Sequence, residues 1–130
     1  MPAPSTETFA AAAKVAAQTA LRDLIDGGSG AGKLKIRDAS DVLLWTGTLD
    51  DPCGSVNSGT GQLTITLPTS TVNASATGTA AYGEITDSAD TVLWQAPTQA
   101  GSSPVSGKVV INTLSLVSGS PATVVSITFG

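Results

Sequence analysis

Gly27-Gly28-Ser29-Gly30-Ala31-Gly32-Lys33 has the spacing G-x-x-x-x-G-K, the opening of a phosphate-binding loop. In such a loop backbone N–H groups cradle phosphate, and a Ser or Thr after the Lys holds magnesium. The chemistry also needs a strand before the loop and a helix after it, so that the helix N-terminus faces the anion. Here Leu34 stands in the hydroxyl position, a helical pattern precedes and a strand pattern follows. The segment therefore reads as a helix-to-strand linker, and no nucleotide or other cofactor is expected.

The other reactive residue types are sparse. The chain has no histidine, the commonest general base and metal ligand. Its single cysteine, Cys53, follows Asp50, Asp51 and Pro52, whose charges disfavour a thiolate, so an inert, partly buried thiol is expected. One cysteine forms no intrachain disulfide, which fits folding in a reducing cytosol. Acidic pairs at 38/41, 50/51 and 87/90 lack the D-x-D-x-D-G spacing of a calcium loop and read as turn formers; no metal site is expected. Lys33, Lys35 and Arg37 share one strand face, a small basic row that could meet an acidic partner surface, although such a face is more often solvated. Asn73-Ala74-Ser75 matches a glycosylation acceptor, with no secretory leader in the N-terminal sequence to support its use. These absences predict a protein that is not an enzyme.

Such residues as there are must be positioned by a helix followed by short strands. Pro2 and Pro4 disfavour helix, so an extended arm is expected at residues 1–5. Ser5 or Thr6 caps a helix, with Glu7 in its first turn, that runs to about Ile25. Phe9, Ala13, Ala16, Ala17, Ala20, Leu21, Leu24 and Ile25 recur at helical spacing, a mostly alanine stripe suited to close approach to a sheet or a partner. Gly27 and Gly28 end it. From Lys33 the period becomes two: strands are expected at 33–37, 42–45, 62–67, 74–86 (weaker), 91–95, 108–116 and 122–129. Gly/Ser/Asn- and Pro/Gly/Ser-rich loops are expected at 53–61 and 96–106.

Two segments match at an offset of 49 residues: 35–45 and 84–94. Ile36/Ile85, Asp38/Asp87, Asp41/Asp90, Leu44/Leu93 and Trp45/Trp94 coincide. Any hairpin with an Asp turn shares part of this pattern. Trp at both matched positions, in a chain with only two, weighs against chance. With Phe9, Leu21 and Leu24, Trp45 and Trp94 are the candidate interface residues; the two Trp could otherwise anchor the core or line a carbohydrate cleft.

At 130 residues the chain fits one domain with an N-terminal appendage: an arm and helix at 1–28 and a β-domain at 29–130. Charged residues are only 12%, about half the usual share, so much of the surface is not solvated by ions. The net charge of −4 without a Lys/Arg run argues against nucleic acid, and the apolar runs are too short to span a membrane. The predicted fold is mainly β, an antiparallel sandwich or jelly-roll-like barrel with one N-terminal α-helix.

The order of segments also resembles a known family. An alanine-rich helix ending ALRDLIDGG (20–28) leads to GKLKIRD (32–38), then TGTAAYGEITDSADTVLWQ (77–95), then GKVVINTLSLVSGSPATVVSITF (107–129). This is similar to small virion proteins of tailed bacteriophages, in which a helix precedes a short β-domain. The resemblance implies a head decoration or cement protein: made in the host cytoplasm, placed on the capsid exterior, bridging copies of the major capsid protein, and itself a homodimer or homotrimer. A tail or baseplate component and a carbohydrate-binding β-module are the alternatives. The resemblance transfers no site residues.

Overall fold

A computed structural model describes residues 10–27, 30–67, 71–105 and 107–129. Among them are α1 (Ala11–Asp26) and eleven strands: β1 (Lys33–Arg37), β2 (Leu43–Thr48), β3 (Gly54–Val56), β4 (Leu63–Ile65), β5 (Thr71–Asn73), β6 (Gly78–Thr79), β7 (Tyr82–Thr86), β8 (Val92–Ala100), β9 (Lys108–Ile111), β10 (Ser115–Leu116) and β11 (Pro121–Phe129). The fold is mainly β with one helix near the N-terminus, as expected. Nine strands make one sheet in the order β2-β1-β7-β8-β9-β11-β4-β3, with β5 also on β11; β6 and β10 form a separate ribbon. The sheet curls into a half-barrel.

Alternation is plain in β1 and β4. In β1, Leu34 and Ile36 point into the core while Lys33, Lys35 and Arg37 point out. Both hairpin turns are made by aspartate. The Asp38 Oδ1 accepts the N–H groups of Ser40 (2.8 Å) and Val42 (2.9 Å), and Asp41 takes the left-handed conformation at φ 67°. A short polar side chain that bonds its own backbone makes this turn accessible without glycine.

Several strand limits differ from expectation. β8 runs on to Ala100 through residues read as loop. Pro97 is tolerated because it pairs with Tyr82 at the end of the β7 ladder, just before the β9 ladder begins at Thr98. That β8–β9 ladder is parallel, so the sheet is mixed rather than wholly antiparallel. The segment 74–86 divides into β6 and β7, and 108–116 into β9 and β10. β3 lies inside the expected 53–61 loop. The expected cap at Ser5 or Thr6 lies outside the described residues.

The core joins sheet and helix. Trp45, Leu34, Ile36, Leu44, Ile85 and Ile127 are its large members from the sheet, and Ile25 is its fully buried member from α1. Gly32 lets the helix end approach: a Cβ there would sit 2.5 Å from the Thr86 carbonyl and 2.6 Å from Ile25 Cγ2. Gly61, at φ 75°, lies against the helix backbone at Lys14 and Val15. Segments 1–28 and 29–130 therefore share one core wherever α1 is described.

Candidate functional site

Several of the residues with chemical potential are tied up in structural bonds. Cys53 is buried and free. Its N–H is donated to the Asp26 carboxylate at 3.0 and 3.2 Å, tying the end of α1 to β3. Burial, with Asp26 beside it, pushes the thiol up to about 12, so it carries no thiolate at neutral pH. Burial also raises Asp26, opposed by the bond from Cys53 N–H. The order around the glycine-rich segment is helix then strand, the reverse of a phosphate loop, and Lys33 reaches Asp90 at 3.1 Å. No group of three His, Cys, Asp or Glu able to hold a metal occurs among the described residues. No described helix is long and apolar enough to cross a membrane. A cleft of about 270 Å³ between β4 and β11 is lined by Thr64–Leu67 and Val124–Ile127, without a titratable side chain.

The basic row of β1 forms a network where it was expected to be solvated. Lys35 meets Asp90 at 3.0 Å, joining Lys33. The Arg37 guanidinium bonds Glu84, which is only 5% exposed, and its Nη1 donates to the Asp41 carbonyl at 3.0 Å. Gln95 Nε2 donates to the other Glu84 oxygen at 3.1 Å. Tyr82 donates its hydroxyl to Asp41 at 2.7 Å. The hydrogen bond to Glu84 raises Arg37, the bond to Asp41 raises Tyr82, and the bonds from Lys35 and Lys33 lower Asp90. Sequence reasoning passed over Glu84. The signal was available: at the 49-residue offset Glu84 matches Lys35, with opposite charge.

The five candidate interface residues fall into different places. Phe9 lies outside the described residues. Trp45 has no exposed surface, and its indole N–H is donated to the Val72 carbonyl at 2.9 Å. It is a core anchor with nothing to offer a partner or a sugar. Trp94 is half-buried against the same core. Leu21 also packs inward, whereas Leu24 is 60% exposed.

That split runs the length of the helix. Ala10, Ala13, Ala17, Ala20 and Leu24 are exposed, at spacings of three and four residues that place them on one side; Ala12 and Ala16 are exposed beside them. Val15, Gln18, Leu21, Arg22 and Ile25 occupy the opposite side. Gln18 Oε1 and Arg22 Nε are buried there without a hydrogen-bond partner among the described residues. The expected stripe is thus divided: Leu21 and Ile25 face the sheet, and its described alanines and Leu24 face away. Alanine surrounds most of the helix, so periodicity could not choose a face. The larger side chains of Val15, Leu21 and Ile25 chose it.

Comparisons with family models, with curated proteins and with solved structures give no match to this chain.

Proposed function

We propose that this protein is a non-enzymatic structural part used in many copies: a head decoration or cement protein of a tailed bacteriophage. It would sit on the capsid exterior, bridge major capsid subunits and self-associate as a dimer or trimer. The observation that carries the reading is the orientation of α1. The helix keeps Gln18 and Arg22 against its own body and turns Ala13, Ala17, Ala20 and Leu24 outward. A helix with one partner would normally bury its apolar side and solvate its polar side. An alanine side at alternating three- and four-residue spacing packs closely on a second helix or a flat lattice surface. Each contact is small, and attachment accumulates over many copies. The low charge content supports the same reading.

The test is Ala13→Glu/Ala17→Glu/Ala20→Glu. All three positions are exposed, so the melting temperature should hold while attachment to purified particles, read as copy number by mass spectrometry, falls at least tenfold. Full occupancy by this variant would refute the attachment role. Immunogold labelling at the tail rather than the head would favour a tail or baseplate component.

A further inference from the structure

We infer that the β1–β2 and β7–β8 hairpins are two copies of one unit, paired with each other about an internal two-fold axis that passes between Lys35 and Glu84. The first strand of each unit is an interaction surface, and the partner it fits is a second unit of the same kind.

The equivalence holds residue by residue at the offset of 49. The first hairpin pairs Lys33↔Thr48, Leu34↔Gly47, Lys35↔Thr46, Ile36↔Trp45 and Arg37↔Leu43. The second pairs Tyr82↔Pro97, Gly83↔Ala96, Glu84↔Gln95, Ile85↔Trp94 and Thr86↔Val92. Every pair in the second list is the first list plus 49. The extra residue of each bulge is Leu44 in one and Leu93 in the other. The turns repeat as well. Asp87 Oδ1 accepts Ala89 and Thr91 N–H at 2.9 Å each, as Asp38 accepts Ser40 and Val42. Asp90 has φ 66° against 67° for Asp41. Convergence on an Asp turn explains the turn. It does not place the bulge and the Trp at the same register.

The two-fold axis follows from the ladder between the units. β1 pairs antiparallel with β7 as Leu34↔Ile85, Lys35↔Glu84 and Ile36↔Gly83. Ile85 is the equivalent of Ile36, and Gly83 of Leu34. Only Lys35 pairs with its own equivalent, which is the condition for lying on a two-fold axis. The side chains obey the same operation. Asp90 of the second turn takes Lys33 of the first unit; Asp41 of the first turn takes Tyr82 of the second. Tyr82 is the equivalent of Lys33, so the contacts form a reciprocal clasp. Divergence at the axis makes the pairing unlike with unlike. Lys33, Lys35 and Arg37 facing a second copy of themselves would set cation against cation, whereas Glu84 answers Arg37 and Asp90 answers the two lysines.

The chain's single tyrosine makes the clasp observable by ultraviolet titration. In the native protein Asp41→Asn should lower the tyrosine midpoint, and Asp90→Asn should leave it. In the exchanged variant Lys33→Tyr/Tyr82→Lys the dependence should cross over: Asp90→Asn lowers the midpoint and Asp41→Asn does not. The exchange itself should keep the melting temperature within about 5 °C. An exchanged variant that unfolds, or whose tyrosine ignores Asp90, overturns the two-fold relation.

Discussion

The two hairpins share a register, a bulge and a turn, yet their tryptophans have different fates. Trp45 is wholly inside; Trp94 is half-buried. Backbone equivalence therefore does not fix burial. The neighbour two residues on makes part of the difference. Trp45 lies over Gly47, where a Cβ would come within 2.5 and 2.7 Å of ring atoms Cη2 and Cζ3. The equivalent residue in the second unit is Ala96, whose methyl takes up that space. Sheet position makes the rest: β2 ends the sheet beside β5, whose Val72 carbonyl receives the Trp45 indole N–H, while β8 lies inside the sheet next to β9. One unit has given its aromatic to the core, and the other has kept it near the surface.

The comparison breaks most visibly at these rings. Trp45→Ala should cost about 3–5 kcal/mol, combining a large core cavity with an orphaned Val72 carbonyl. Trp94→Ala should cost about 1–2 kcal/mol, because less of its ring is lost from packing. Urea denaturation followed by circular dichroism separates the two. Equal costs would mean that the second ring is as deeply anchored as the first.

The turns should respond alike where the rings respond differently. Asp38→Ala removes an acceptor for two backbone N–H groups, and Asp87→Ala removes the same pair. Each should cost about 1–2 kcal/mol, with the two values within about 0.5 kcal/mol of each other. Thermal unfolding of the two single variants measures this. A difference of several-fold would show that the turns are alike in shape but not in what they support.

Much of this was legible in the residues, and the limits have physical causes. Alternation in Lys33–Arg37 fixed β1 to the residue, because charged and branched aliphatic side chains cannot share a face. The offset between Asp38–Trp45 and Asp87–Trp94 announced the paired hairpins. It could not announce the parallel β8–β9 ladder, because parallel pairing leaves no short turn in the sequence. Pro97 misled for a related reason. Proline speaks against a strand only where its N–H is needed, and that depends on a neighbour far along the chain. The outward side of α1 was visible as composition, while the choice of side rested on three larger residues among many alanines. Glu84 was hidden because a buried carboxylate looks in sequence like any exposed one until its partner, Arg37, is known to lie across the ladder.

The smallest expected effects are the most diagnostic of how the two units have diverged, because the two halves of the clasp should fail at opposite ends of the pH scale. Lys35 and Lys33 hold Asp90 below the ordinary carboxylate value. A lowered folded value means that its stabilisation is complete above the unfolded pKa of about 3.9 and lost as pH falls through the folded one. Tyr82 is raised by its bond to Asp41. Its stabilisation is complete below the unfolded pKa of about 10 and lost as pH rises through the folded one. Asp90→Asn should therefore flatten only the acid limb of a melting-temperature profile, and Tyr82→Phe only the alkaline limb. Both groups are at the surface, so salt should weaken the Lys–Asp90 effect more than the hydrogen bond from the neutral phenol. If both substitutions moved the same limb, the two contacts would not be counterparts that had diverged from an ion pair to a neutral bond.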